Sequence, residues 1–176
     1  MTQAMTTGAA APSSDAANDV LQLVTFDLGK QRYGIDIMTV REIRISNTIT
    51  SLPGAPAHVR GVINLRGTIV PVCDLKRRFG YPSEEPAQNA AIVIASLNGK
   101  LTGLLVDEVC DILPVPRNKI VSIPETGETR HSPFFQGLVT EGESLLIVLA
   151  PERLLSTIAD SASTTAEPPA EARLPA

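Results

Sequence analysis

The chain has 176 residues and a net charge of −4, enough for one ordinary domain or two small ones. Residues 1–19 and 159–176 are rich in Ala, Ser, Thr and Pro and contain almost nothing large to bury, so we expect two disordered tails. The start lacks a basic segment, and no apolar run approaches the roughly 20 residues of a membrane span. We therefore expect a cytoplasmic protein without a secretory signal or direct membrane insertion.

The charge is distributed unevenly along the chain. Residues 20–80 carry nine basic and four acidic side chains, whereas residues 81–155 carry five basic and ten acidic ones. Such polarity favours head-to-tail contact with a similarly polarised partner, although ordinary solvated surface charge is an equally good interpretation.

The two cysteines do not predict a metal site or a structural disulfide. Cys73 and Cys110 both lie among aliphatic residues, which favours buried, reduced thiols. No CxxC motif is present, and His58 and His131 lie in different contexts, so the spacing of metal ligands is absent.

The first half of the chain is predicted to be mostly β-structure. Residues 21–28 and 33–37 mix β-branched and aromatic residues around a turn at Gly29, which indicates two strands. Apolar residues then recur at a spacing of three, at Ile37, Val40 and Ile43, which predicts one or two helical turns.

The stretch 59–75 is the central feature of the sequence. Two apolar runs flank the tetrad Asn64-Leu65-Arg66-Gly67, a pattern that predicts a β-hairpin with a tight turn. An arginine on such a turn points away from the fold. A short basic segment, residues 75–79, and a Pro-rich linker, residues 81–88, follow it.

The second half repeats the first. Residues 103–112 align without a gap on residues 34–43, at an offset of 69, and the hairpin recurs from Gly137 at an offset of 76. A short helix with proline in its first turn follows, beginning at Pro151. We therefore expect two similar five-stranded barrels, at residues 20–80 and 89–158, with helix 151–158 able to pack back on the first.

Catalytic chemistry has no visible constellation in this sequence. P-loop, GxGxxG, GxSxG and HExxH motifs are absent, and no candidate nucleophile lies near either histidine. Nucleic-acid binding is disfavoured because only six aromatic residues serve the whole chain and Phe26 falls in a core pattern. We expect no enzyme activity, no cofactor and no metal.

The motifs resemble those of the CheW family of bacterial chemotaxis coupling proteins. The resemblance rests on Tyr33-Gly34-Ile35-Asp36-Ile37, on Val40-Arg41-Glu42-Ile43, and on the segment 60–75 with its N-L-R-G-x-I-V-P string, and it extends from about Leu21 to Leu155. It implies a mainly β fold of two tandem SH3-like five-stranded β-barrel subdomains with short helices.

The resemblance also implies a non-catalytic adaptor. Its partners would be the regulatory domain of the histidine kinase CheA, the cytoplasmic tips of methyl-accepting chemotaxis receptors at membrane arrays, and other CheW-like domains in rings. The implied partner-binding residues are Val40, Glu42, Ile43, Arg44, Arg60, Asn64, Leu65, Arg66 and Gly67. Asn64 and Gly67 have an alternative role in forming the turn, and the repeat counterpart of Val40, Val109, suggests core packing.

Two alternatives remain open at this stage. Coupling in another chemosensory pathway, such as twitching motility or development, fits the same residues. A small-molecule sensor or hydrolase would instead require a ligand-sized pocket with clustered titratable groups.

Overall fold

Ten strands in two five-stranded sheets make up most of the computed structural model, which describes residues 19–45, 49–82, 85–124 and 132–165, with the side chains of 133–161 in the last range. The strands are β1 Val20–Leu28, β2 Gln31–Asp36, β3 Val40–Ile45, β4 Val59–Leu65, β5 Thr68–Asp74, β6 Ala91–Leu97, β7 Lys100–Val106, β8 Glu108–Pro116, β9 Phe135–Glu141 and β10 Ser144–Leu149. The helices are α1 Leu75–Arg78 and α2 Pro151–Thr165, with 3₁₀ turns at Ile37–Thr39, Arg117–Lys119 and Ser132–Phe134. The predicted mainly β fold with few helices is confirmed.

Strands from both halves of the sequence form each sheet. Sheet A has the order β8-β1-β2-β10-β9, and sheet B has the order β3-β6-β7-β5-β4. The division into sequence-contiguous barrels at 20–80 and 89–158 therefore does not match the sheets. The repeat itself is present, but β3 and β8 each pair with the other copy. Sequence patterns show which strands are alike, and they do not show which of two similar strands will pair.

Of the one or two predicted helical turns, one is present as the 3₁₀ turn Ile37–Thr39, whereas residues 40–45 are a strand. A β-bulge causes the misleading spacing: Val40 pairs with Ala95 and Ile43 with Val93, so three residues of β3 span two of β6. The second copy has the same irregularity, where Val109 pairs with Phe26 and Ile112 with Val24. The inserted residue converts the strand period of two into an apparent helical spacing of three.

Each sheet closes toward a barrel through a short bridge. Thr50 and Val62 exchange two backbone hydrogen bonds of 2.9 Å, which join the segment after β3 to β4. Val121 and Leu138 likewise exchange two backbone hydrogen bonds, which join the segment after β8 to β9 in sheet A. Gly61 and Gly137, which are equivalent in the repeat, lie against these bridges. A Cβ at either position would collide with the backbone of Thr50 or Val121.

The largest core lies between the two sheets. It contains buried side chains of β1 and β2 from sheet A, of β5, β6 and β7 from sheet B, and of α2. The six aromatic residues of the chain gather there: Phe79 stacks on Tyr33 with ring centroids 5.5 Å apart, and the hydroxyls of Tyr33 and Tyr81 lie 2.7 Å apart. Phe26 is fully buried, as predicted, which removes it as a base-stacking platform.

The C-terminal helix is longer than predicted. α2 continues through Thr165, so the first residues of the expected tail 159–176 are helical, and residues 166–176 and 1–18 lie outside the described residues. Its buried residues Leu154, Leu155 and Ile158 join the central core, and the helix contacts β6 and β7 of sheet B. No helix in the described ranges is long and apolar enough to cross a membrane. Cys73 is a buried free thiol, as expected, and burial raises its pKa to about 12, whereas the free thiol Cys110 is only half-buried.

Candidate functional site

An open groove lies between β3 and β4, the two edge strands of sheet B. Its volume is about 800 Å³. It runs from the Thr50–Val62 bridge to the turn between β4 and β5, and it exists because β3 and β4 each pair with one neighbour in the sheet order. The lining residues are Glu42, Ile43, Arg44, Ile45, Thr50, Ile63, Asn64, Arg66 and Ile92.

The floor of the groove is the interior of sheet B, and its wall is exposed aliphatic surface. Ile63 and Ile92 are buried and belong to the core of this sheet. Ile43 and Ile45 on β3 are 45% and 75% exposed. Exposed isoleucines beside a core that reaches the surface provide an apolar contact area for a partner.

An ion pair spans the two edge strands at the open end. The guanidinium of Arg66 donates to the carboxylate of Glu42 at 2.9 Å, and Arg44 approaches the same carboxylate at 3.5 Å. The side chain of Arg66 is 80% exposed, whereas that of Glu42 is 23% exposed. Two arginines therefore share one carboxylate, so the rim of the groove carries excess positive charge.

The tight turn holds Arg66 in place through its backbone. Arg66 and Gly67 both have positive φ, 49° and 87°, as a two-residue type I′ hairpin loop requires. The side-chain oxygen of Asn64 accepts a hydrogen bond from the backbone N–H of Gly67 at 2.7 Å. Asn64 and Gly67 thus form the turn, and the Arg66 side chain is the part that reaches outward.

Four of the nine predicted site residues do not line the groove. Leu65 is buried in the core of sheet B, and Val40 packs half-buried against the central core, as its repeat counterpart Val109 also does. Arg60 lies near the other end of β4, 3.8 Å from Asp74. The structure brings Glu42, Ile43, Arg44, Asn64 and Arg66 together, with Gly67 in the adjoining turn.

Sequence reasoning missed four residues of the groove: Ile45, Thr50, Ile63 and Ile92. Ile45 carried a usable signal, because in a strand Ile43 and Ile45 lie on the same face, whereas the helical interpretation hid this relation. Thr50 and Ile92 reach the groove only through strand pairing, which has no local signal.

The groove presents paired charges and exposed aliphatic side chains, which suit a contact surface. Its charged side chains are paired with one another, and within the described ranges no three side chains of metal-binding type gather at one place. Burial and the nearby Arg78 lower the pKa of His58, but this imidazole precedes β4 and does not line the groove.

Comparison with known proteins agrees with this picture. Residues 22–159 match the family model described as the CheW-like domain. The chain is 36% identical to the probable chemotaxis protein CheW of Rhizobium etli, over 77% of this chain and 87% of that one. It is 39% identical to the chemotaxis protein CheW of Rhizobium meliloti, over 72% and 83%.

A solved structure shows the same fold. The crystal structure of the scaffolding protein TtCheW from Thermoanaerobacter tengcongensis superposes with a TM-score of 0.69 at 33% identity, covering 74% of this chain and 88% of that one. The chain therefore belongs to the CheW-like domain family, whose members are scaffolding adaptors rather than enzymes.

Proposed function

We propose that this chain is a cytoplasmic chemotaxis adaptor that couples the tips of methyl-accepting chemotaxis receptors to the regulatory domain of the histidine kinase CheA. The groove between β3 and β4 is the surface that we assign to partner binding. Family membership and the predicted site residues that line this groove support the proposal.

The observation that carries the assignment is the exposed Arg66 at the rim of an apolar groove. An arginine beside aliphatic surface is a common anchor in protein interfaces. The ion pair with Glu42 orients the guanidinium without burying it, so a carboxylate of a partner can reach the same group. Ile43 and Ile45 supply the apolar contact beside it.

The charges of the two sheets support additional contact with like-folded proteins. The strands of sheet A carry Asp27, Asp36, Glu108, Asp111 and Glu141 against Arg32, and those of sheet B carry Arg41, Arg44, Arg60 and Lys100 against Glu42 and Asp74. The polarity first noted along the sequence therefore persists between the sheets. A head-to-tail contact of sheet A with sheet B of a CheW-like neighbour would build rings at the receptor array.

The test is direct binding of the purified chain to the CheA regulatory domain and to a receptor-tip fragment. We expect both to bind, and we expect Arg66→Glu to weaken at least one complex about 30-fold or more, the loss typical of a hot-spot residue. The melting temperature should change little, because an exposed ion pair contributes only about 0–1 kcal/mol.

The matched control is Arg41→Glu, the same charge change at an exposed position of β3 outside the groove lining. It should leave both affinities within a few-fold of the wild type. If the wild-type chain binds neither partner, the coupling function is wrong. If Arg66→Glu binds both partners normally, the groove is not the partner surface.

A further inference from the structure

The two halves of this chain interlock through an exchange of strands. The N-half, residues 19–82, contributes β1 to β5, and the C-half, residues 85–165, contributes β6 to β10. Four antiparallel ladders lie within a half: β1 with β2, β4 with β5, β6 with β7, and β9 with β10. Four others join the halves: β1 with β8, β2 with β10, β3 with β6, and β5 with β7.

The ladders between the halves form two equivalent sets. Gly34 pairs with Val148 in a parallel ladder, and Gly103 pairs with Val72 in the other. These pairs are related by the repeat offsets of 69 and 76, as are the two bulges described above. The arrangement is that of a two-fold dimer in which each unit donates strands to both sheets.

Neither half can satisfy its own strands. β3 has no strand partner within the N-half, and β8 has none within the C-half. A half by itself would expose the edges of these strands and of its hairpins, together with its share of the central core. Association with the complementary half restores four ladders and this core at once.

The described residues that connect the halves pair with no strand, and an exposed ion pair of Glu85 with Arg60 at 3.6 Å joins them to sheet B. Residues 85–89 are exposed and belong to no strand or helix. The ladders and core contacts between the halves therefore do not depend on an unbroken chain at this point.

We propose that each half of the chain is a binding partner for the other half, independently of the covalent connection, so that two copies of the chain can exchange halves. The exchanged dimer contains the same two sheets, each built from the N-half of one copy and the C-half of its partner. This proposal does not depend on which proteins the groove of sheet B binds.

The test inserts a protease recognition sequence between Ala87 and Gln88 of the full chain and cleaves the folded protein. We expect the two fragments to elute together at the mass of the intact chain and to melt in one cooperative transition. After unfolding and dilution, recovery of this species should become faster as the fragment concentration rises. The same insertion variant left uncleaved is the control, and over a dilute range of concentrations its refolding rate should not change.

A second variant weakens the contact between the halves without altering the connection. The hydroxyl of Thr25 on β1 donates to the backbone oxygen of Asp111 on β8 at 2.9 Å and accepts from its backbone N–H at 3.1 Å. Thr25→Val in the cleaved protein should lower the affinity between the fragments about tenfold or more, and Thr25→Ser should restore it.

Two results would overturn the proposal. Fragments that separate and each melt cooperatively would mean that the halves fold alone, as tandem units. Fragments that separate and remain unfolded would mean that the covalent connection is required for assembly. Refolding of the uncut chain above that dilute range tests the exchange between copies: dimers of unchanged secondary structure are expected, and a chain that stays monomeric at every concentration would refute the exchange.

Discussion

Replacement of Gly61 by alanine should open the closure of sheet B. A Cβ at this position would collide with the carbonyl oxygen of Thr50 and lie 2.8 Å from its carbonyl carbon. Since real Cβ atoms do not approach backbone so closely, the segment at Thr50 must move away. The two 2.9 Å hydrogen bonds between Thr50 and Val62 would then be lost.

Two costs add in this variant. Loss of two backbone hydrogen bonds is worth about 1–3 kcal/mol, and the φ of +154° at Gly61 adds about 1–3 kcal/mol of strain for an alanine. The free energy of unfolding should therefore fall by about 2–6 kcal/mol. Because Thr50 lines the groove, partner binding should weaken as well.

Equilibrium urea unfolding followed by circular dichroism measures the effect, and two other glycines separate its causes. Gly29→Ala has a φ of 61° with open space around the new methyl group, so only the left-handed strain of about 1–2 kcal/mol applies. In Gly137→Ala, the new Cβ would collide with the carbonyl oxygen of Val121 at the equivalent bridge of sheet A, but residue 137 has no positive φ. This variant therefore shows the effect of the clash without the left-handed strain. If Gly61→Ala costs no more than Gly29→Ala, the bridge does not stabilise sheet B and the reasoning is refuted.

Three further predictions concern two side-chain contacts and one buried thiol. In the uncut chain, Thr25→Val should lower the free energy of unfolding by about 1–3 kcal/mol, because both backbone groups of Asp111 lose their hydroxyl partner. Thr25→Ser keeps the hydroxyl and should retain most of the wild-type stability in the same urea titration. Asp107→Asn should lower the melting temperature and reduce the free energy of unfolding by about 1–3 kcal/mol. The reason is that the Asp107 carboxylate forms a 2.7 Å ion pair with Lys76 and accepts a hydrogen bond from the Gly29 N–H at 2.7 Å. Added salt should narrow the difference in melting temperature from the wild type only slightly, since both side chains of the ion pair are less than one-fifth exposed. Burial raises the pKa of Cys73 from 9.0 to about 12, so the folded state holds the thiol proton more tightly than the unfolded state does. The stability that this thiol contributes is complete below about pH 9, and it falls by up to about 1.4 kcal/mol per pH unit as the pH rises toward 12. Cys73→Ala should therefore flatten the plot of unfolding free energy against pH in this range.

Local patterns in the sequence determined much of this protein. Strand alternation and turn residues located the β4–β5 hairpin within a few residues, because Asn64 and Gly67 satisfy a turn whose geometry depends on adjacent residues alone. The repeat at offsets of 69 and 76 predicted two similar five-stranded units, and the structure has two five-stranded sheets. Five of the predicted site residues lie together for a related reason: they come from two short segments that each carry their own signal.

Tertiary structure alone decided how these pieces combine. β3 resembled a helix because one bulged residue changes the spacing of Val40 and Ile43, and only its pairing with β6 shows the bulge. The groove contains Thr50 and Ile92 because pairing brings Thr50 beside Val62 of β4 and Ile92 beside Arg44 of β3, a relation with no trace in nearby residues. The exchange of strands between the halves has the same origin: two similar copies offer similar edges, so pairing is settled by the packing of the whole core, to which both halves contribute.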